Sequence, residues 1–94
     1  MKIHGIIWLE EIVEKLEQKH SVLQQEIVEL FSLSPHYRYV EKGHQENENV
    51  YSALGRSESG RCLIVFFVLK SSRKALVISA RDMSDNERKR YEAS

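Results

Sequence analysis

From Leu63 to Leu69 the chain reads LIVFFVL, seven apolar side chains in a row between Cys62 and Lys70. This run is far shorter than the roughly 18 residues that a membrane-spanning helix needs. Its β-branched and aromatic residues favour a strand. Because successive side chains of a strand point to opposite faces, an unbroken apolar run requires cover on both faces. The run therefore predicts a strand in the centre of a sheet.

Patterns with a period of two extend on both sides of this run. Strands are predicted at residues 36–41, 50–57, 61–70 and 74–80. Polar residues and glycines separate them and predict turns at residues 42–47, 58–60 and 71–73. We therefore expect an antiparallel meander. Residues 3–8 form a fifth, short strand broken by Gly5, which places it at an edge of the sheet.

Helical patterns precede and follow the meander. The first helix is indicated by residues that recur on one helix face, namely Leu9, Ile12, Val13, Leu16 and His20. A second helix is predicted to begin with Ser21 and Gln24 at capping-box spacing and to end near Pro35. Ser84 and Glu87 have the same spacing and open a basic helix that ends near residue 92.

The order of these elements predicts an α+β fold. Two N-terminal helices and one C-terminal helix are expected to pack on one face of an antiparallel sheet of four to five strands. The length of 94 residues and a hydrophobic fraction of 41% suit a single domain over residues 1–94. The single cysteine, Cys62, excludes an internal disulfide, and residues 1–8 do not resemble a signal peptide. We therefore expect a cytoplasmic protein with no membrane association.

The net charge of zero conceals two halves of opposite sign. Residues 1–54 contain five Lys or Arg against nine Asp or Glu, whereas residues 55–94 contain nine against five. The C-terminal half is therefore the candidate surface for a polyanion. An ordinary solvated surface with unevenly distributed charge is the alternative.

Several classes of chemistry are disfavoured. The four histidines lie on different predicted segments without metal-ligand spacing, so no metal site is expected. The sequence has no glycine-rich phosphate loop and no nucleophile elbow, so no cofactor is expected. Cys62 begins a buried strand and is interpreted as a core residue rather than a nucleophile.

Arginines are the main candidates for function. Arg81 follows a buried strand, Arg88 lies on the capped final helix, and Arg56 and Arg61 flank the hairpin turn. We expect all four to face one cleft, where guanidinium groups could bind phosphate oxygens in pairs of hydrogen bonds. A solvated helix face with i, i+3 and i, i+4 pairs is the alternative.

The sequence resembles the BrnT family of bacterial toxins over nearly its whole length. The resemblance rests on Tyr51-Ser52-Ala53-Leu54-Gly55-Arg56-Ser57, Gly60-Arg61, Ser79-Ala80-Arg81, Glu87-Arg88-Lys89-Arg90-Tyr91-Glu92, and upstream on Trp8, Lys19-His20 and Val22. It implies a RelE-like fold and RNA cleavage. It also implies a BrnA-type ribbon-helix-helix antitoxin, which neutralises the toxin and represses the shared operon, and through which the toxin could oligomerise.

Departures from the family pattern concern polar positions. Apolar residues stand where family members commonly have Asp, Lys, Asn and Arg, namely at Leu9, Ile12, Leu16 and Val50. Ser21 replaces a glycine that usually follows the histidine. These changes add apolar residues to the core and remove polar residues that an active site could use. A catalytically inactive module that binds an antitoxin or RNA is therefore the alternative to a nuclease, and a ribonuclease restricted to certain transcripts or to ribosomes is a third possibility.

For a metal-independent nuclease the candidate residues take distinct roles. Arg81 and Arg88 would stabilise the charge that develops on the phosphate. Flanking phosphates would bind to Arg56, Arg61, Lys89 and Arg90. His20 is the candidate for proton transfer because histidine titrates near neutral pH, and its alternative role is to close the apolar stripe of the first helix. Glu87 or Tyr91 could replace it.

Overall fold

The computed structural model describes residues 1–45 and 48–94, and within them it contains three helices and five strands. In chain order these are β1 (Gly5–Ile7), α1 (Glu10–His20), α2 (Gln24–Ser32), β2 (His36–Lys42), β3 (Asn49–Arg56), β4 (Cys62–Leu69), β5 (Lys74–Asp82) and α3 (Asp85–Ala93). The predicted α+β class and element order are confirmed. The last two residues of the predicted turn 42–47 lie outside the described residues.

The sheet has the strand order β1-β5-β4-β3-β2, so the apolar strand β4 is central, as its composition predicted. Strands β2 to β5 form the expected antiparallel meander. β1 lies at an edge, also as predicted, but it pairs with β5 in parallel. β1 and β5 are neighbours in the sheet although α1, α2 and strands β2 to β4 separate them along the chain.

Helices α1 and α2 cover one face of the sheet, which we call the inner face. Leu16 from α1 and Ile27 and Leu30 from α2 are buried against it. The sheet contributes alternate side chains that are also fully buried, namely Ala53, Leu63, Val65, Phe67, Ala75, Val77 and Ala80. Burying each of the larger side chains contributes about 1.5–3 kcal/mol.

Helix α3 lies on the opposite, outer face, so the expectation that every helix packs on one face is wrong. Its Glu87 bonds to Arg81, and its Tyr91 contacts His36. α3 buries none of its own side chains. Polar contacts rather than an apolar stripe therefore decide the side on which it packs, and a hydrophobic pattern could not reveal that side.

A β-bulge in β5 aims Arg81 at the outer face. Val77 pairs with Phe67 and Ala80 pairs with Val65, and all four face inward although Val77 and Ala80 are three residues apart. The extra residue in β5 reverses the alternation beyond it. Arg81, the next residue along, therefore pairs with the outward-facing Ile64.

The helix ends match the predictions in part. The capping box of Ser84 and Glu87 is confirmed, because the Ser84 hydroxyl accepts from the Glu87 N–H and Glu87 Oε1 accepts from the Ser84 N–H. The capping box predicted at Ser21 is wrong. Ser21 adopts a left-handed conformation that ends α1, and α2 begins after Leu23.

None of the helices in the described part of the chain is long and apolar enough to cross a membrane.

Candidate active site

Arg81 and Glu87 form the centre of the polar cluster beneath α3. Arg81 Nη1 and Nη2 donate to Glu87 Oε1 and Oε2 at 2.7 and 3.0 Å. The Arg81 guanidinium also lies 5.7 Å from the centre of the Phe66 ring. The hydrogen bonds from Arg81 lower the pKa of Glu87 to about 2, and those to Glu87 raise the pKa of Arg81. Both groups are therefore charged at neutral pH.

A second ion pair joins the other end of α3 to the sheet. Arg56 Nη2 donates to Glu92 Oε2 at 2.9 Å, and Arg88 Nε approaches the same oxygen at 3.5 Å. One carboxylate thus brings two of the predicted arginines together. These side chains are about half exposed, so solvent and solutes reach them.

Aromatic side chains lie beside the second ion pair. The rings of Tyr91 and His36 are 4.8 Å apart between centroids, and the Arg56 guanidinium lies 6.0 Å from the Tyr91 centroid. His36 was not among the site residues predicted from the sequence. It was considered only as a metal ligand, although it begins β2 two residues before Arg38 and must share a face with it.

A cavity of about 260 Å³ opens between β2, β3 and α3. Its walls are formed by Arg38, Tyr39, Val40, Ser52, Leu54, Ile64, Glu87 and Arg90. Arg38 was also missed by the sequence analysis. Its pairing with Ser52, whose side chain lines the same cavity, places Arg38 on the outer face.

These groups form one surface, which we call the arginine face. Its cations are Arg38, Arg56, Arg81, Arg88 and Arg90, and its carboxylates are Glu87 and Glu92. Arg81 and Arg88 thus lie on the same side of the molecule, as expected. Lys89 is exposed on the same helix. The excess of positive charge suits a polyanion such as RNA.

Arg61 does not join this surface, contrary to the expectation of a single cleft for four arginines. It donates to both carboxylate oxygens of Asp82 at 2.8 and 3.1 Å and to Glu26 Oε1 at 3.0 Å. These hydrogen bonds raise the pKa of Arg61 and lower the pKa of Asp82. Asp82 pairs with the inward-facing Leu63, so this cluster lies on the inner side of the sheet.

His20 lies near Arg61 rather than near α3. Its carbonyl oxygen accepts from Arg61 Nη2 at 3.1 Å, and the Ser21 carbonyl accepts from Nη1 at 2.7 Å. The His20 side chain is exposed at the end of α1, so it does not close the apolar stripe. The structure therefore separates His20 from Glu87 and Tyr91, the other two candidates for proton transfer.

Comparison with known proteins identifies the family. A family model described as the ribonuclease toxin BrnT of a type II toxin-antitoxin system matches residues 8–87, which include the Arg81–Glu87 pair and the Arg61 cluster. The chain belongs to the BrnT family. No curated protein matches it. The resemblance to the BrnT family is thus confirmed over a range that includes the Leu-Gly and Ser-Ala-Arg motifs, and the family is one of ribonuclease toxins of type II toxin-antitoxin systems.

The four apolar positions that depart from the BrnT pattern lie away from the arginine face. Leu16 is 3% exposed in the core, and Ile12 packs against that core from the same helix. Leu9 is 46% exposed just before α1. Val50 is buried on the outer face beside Val68, at the other end of β3 from Arg56. The departures therefore leave the guanidinium groups beneath α3 untouched.

Among residues 1–45 and 48–94, no three His, Cys, Asp or Glu side chains are grouped so that they could hold a metal ion. The outer face instead concentrates fixed cations. Guanidinium groups can stabilise charge on a phosphate and bind its oxygens in pairs.

Proposed function

We propose that this chain is a ribonuclease toxin that cleaves RNA at the arginine face without a metal ion. The observation that carries the proposal is the convergence of five arginines from β2, β3, β5 and α3 beneath and along one helix. The paired bonds from Arg81 to the Glu87 carboxylate show a guanidinium presented to an oxyanion in the geometry that phosphate also accepts.

The chemistry is an internal transfer at phosphorus. The ribose 2′-oxygen bonds to phosphorus, the bond from phosphorus to the 5′-oxygen breaks, and the products carry a 2′,3′-cyclic phosphate and a 5′-hydroxyl. Arg81 and Arg88 stabilise the negative charge that accumulates on the phosphate oxygens. Arg56, Lys89 and Arg90 bind neighbouring phosphates. Fixed positive charge thus takes the electrostatic role that a metal ion serves in other nucleases.

Proton transfer requires one acceptor and one donor. Glu87 is ionised and accepts rather than donates, whereas the Tyr91 hydroxyl can donate to the 5′-oxygen. His20 remains a candidate by residue type, although it lies with Arg61 on the inner side of the sheet. An RNA-binding role for Arg61 has the same difficulty, because carboxylates and carbonyls already surround its guanidinium.

A BrnA-type ribbon-helix-helix protein is the proposed antitoxin, and toxin and antitoxin act together in the cytoplasm. α3 covers only one end of the outer face. At the other end Phe66 and Val68 are partly exposed and Ile78 is 37% exposed. A segment with apolar and acidic side chains would cover this apolar strip and pair with the adjacent arginine face. Oligomers would form through the antitoxin.

The test combines purified protein with single-stranded RNA in the presence of EDTA. Cleavage that yields 5′-hydroxyl ends, and that fails on a strand of the same sequence with 2′-deoxy sugars, supports the proposal. Cleavage restored only by added divalent cations contradicts metal independence. Growth arrest on induction, relieved by an adjacent gene for a ribbon-helix-helix protein, tests the antitoxin.

A non-cleaving binding module is the second candidate. It is favoured by Leu16 and Val50, which are buried where family members commonly have polar residues. Such a module would bind RNA with an affinity that falls steeply as salt increases and would leave no cleaved product. Ribosome-bound RNA must be included in that assay, because a target-selective nuclease would spare free RNA.

A further inference from the structure

We infer that His36 is the residue that accepts the 2′-hydroxyl proton at the arginine face, an inference that rests on the proposed ribonuclease function. The inference is based on three groups that lie together on the outer face, the imidazole of His36, the phenol of Tyr91 and the guanidinium of Arg56. Residues 36, 91 and 56 come from β2, α3 and β3, three elements that meet only in the folded chain.

The side chain of His36 faces the site. His36 pairs with Leu54, which lines the cavity beneath α3, and residues directly opposite in an antiparallel pair share a face. Its ring is 4.8 Å from the Tyr91 ring, and the Arg56 guanidinium lies 6.0 Å from Tyr91 on the same surface. His36 is half-buried, so it is held in place and remains accessible.

The position of His36 relative to Arg81 suits an extended strand of RNA. His36, Leu54, Ile64 and Arg81 are paired in one row across four strands. α3 runs over this row, with Glu87 bonded to Arg81 and Tyr91 against His36. Four residues of a helix rise about 6 Å. A strand lying along α3 can therefore place a ribose 2′-hydroxyl beside His36 while the phosphate attached to the 3′-oxygen of the same ribose meets Arg81.

The other candidates for the base are less well placed. His20 is on the inner side of the sheet, where its backbone carbonyl is bound to Arg61. The Glu87 carboxylate already accepts two bonds from Arg81 and one from the Ser84 N–H. His36 is the side chain of the arginine face whose neutral form accepts a proton and whose charged form can return it.

The step balances as follows. Neutral His36 takes the 2′-hydroxyl proton while the 2′-oxygen bonds to phosphorus, and the bond from phosphorus to the 5′-oxygen breaks. The leaving 5′-oxygen takes a proton from the Tyr91 hydroxyl, which recovers one from water. His36 then releases its proton to solvent. The charged and titratable groups around His36 are Arg38 on its own strand, Arg56 on β3, and Arg88, Tyr91 and Glu92 on α3.

The test measures single-turnover cleavage of a mixed-sequence, end-labelled single-stranded RNA by the full chain and by His36→Ala. We expect a loss of about 100-fold or more in rate, because general base catalysis contributes 10²–10⁴. Binding to the same strand with 2′-O-methyl sugars should change less than about twofold, since the arginines remain. The acid limb of the pH-rate profile should disappear, and added imidazole should restore part of the rate.

His44→Ala is the matched control, because His44 is exposed in the turn that follows β2 and should leave the rate unchanged. If His36→Ala fails to fold, His36→Gln takes its place in the rate measurement. NMR then also records the His36 ring resonances of the wild-type chain, and those resonances must shift when 2′-O-methyl RNA binds. Suppose that the wild type cleaves RNA. If His36→Ala then keeps the wild-type rate, or loses it without rescue by imidazole, the role of His36 is overturned and the proposed function stands. A wild-type chain that cleaves no RNA, free or ribosome-bound, overturns the proposed function as well.

Discussion

Arg81 and Glu87 face each other across the gap between the end of β5 and the first turn of α3, joined by two N–H···O bonds of 2.7 and 3.0 Å. This pair, the pair of Arg56 with Glu92 and the contact of Tyr91 with His36 together join α3 to the sheet. The guanidinium surface that accommodates the Glu87 carboxylate also suits a phosphate. An RNA phosphate that binds Arg81 therefore competes with Glu87.

Replacing Arg81 should separate activity from stability. Arg81→Ala is expected to abolish RNA cleavage and growth inhibition while changing the free energy of unfolding by no more than about 1 kcal/mol, because a partly exposed ion pair contributes little to folding. Cleavage assays and thermal unfolding measure the two effects. Arg73→Ala, at the other end of β5, is the matched control. Unchanged toxicity in Arg81→Ala would remove Arg81 from the site.

The Arg81–Glu87 pair should also give the stability a defined pH dependence. The pKa of Glu87 is lowered from 4.5 to about 2 in the folded protein. A lowered pKa in the folded state stabilises above the unfolded value, and that contribution is lost as pH falls from about 4.5 to about 2. The melting temperature of Glu87→Gln should therefore lie below that of the wild type at pH 6 and approach it near pH 2.

The control for this titration is Glu14→Gln, on the exposed surface of α1. Its difference from the wild type should stay small over the whole pH range. A Glu87→Gln chain whose melting temperature differs from the wild type equally at pH 6 and pH 2 would show that the ion pair does not contribute to folding.

Arg61 is expected to stabilise the fold. Its guanidinium bridges Asp82 at the end of β5, Glu26 on α2 and the two carbonyls at the end of α1. Arg61→Met would leave the mostly buried Glu26 carboxylate with its bond from the Leu23 N–H but without the Arg61 counter-ion. We expect a loss of about 2 kcal/mol, which lowers the melting temperature of a chain this size by roughly 8–16 °C.

The affinity for RNA distinguishes this role from the RNA-binding role suggested by the family motif. Below its melting temperature, Arg61→Met should bind single-stranded RNA within about twofold of the wild type, whereas Arg56→Met should bind it more weakly and with a shallower dependence on salt. Equal losses of affinity in the two variants would place Arg61 in the RNA-binding surface.

Much of the fold follows from hydrophobic periodicity. The apolar run at Leu63–Leu69 predicted the central strand, and the two polar-apolar strands beside it predicted the meander. The capping box at Ser84 predicted the start of α3. Each of these features depends on residues that are close together in the sequence, so it can be predicted without knowledge of the fold. The position of α3 is not local, because its charged residues form no apolar stripe that could show which face of the sheet it covers.

The arginines of the candidate site could be predicted from residue type, but the face of the sheet on which each one lies could not. Strict alternation from the buried Val77 would turn Arg81 inward, and the bulge in β5 turns it outward. Arg61 follows the hairpin turn directly before β4, where no alternation fixes its direction. His36 was missed because only its lack of metal-ligand spacing was weighed, although pairing with β3 brings it beside Arg56 and Tyr91.

Gly55, in the Leu-Gly motif of β3, lies where α2 and the residue Pro35 approach the sheet closely. A Cβ at this position would lie 3.0 Å from Leu30 Cγ and 3.2 Å from Pro35 Cβ, closer than ordinary van der Waals contact. Leu30 is fully buried and Pro35 is rigid, so neither can move freely. Gly55→Ala should therefore reduce the free energy of unfolding by about 1–3 kcal/mol, as overpacking does.

The partner variant shows whether this steric contact is the cause. Leu30→Ala alone creates a cavity and should cost about 2–5 kcal/mol. Combined with Gly55→Ala, it removes the side chain that the new methyl group meets, so the double variant should lose less stability than the two single losses together. Denaturant unfolding of the four chains measures this coupling. Strict additivity would mean that Gly55 is required for another reason, such as the close approach of Pro35.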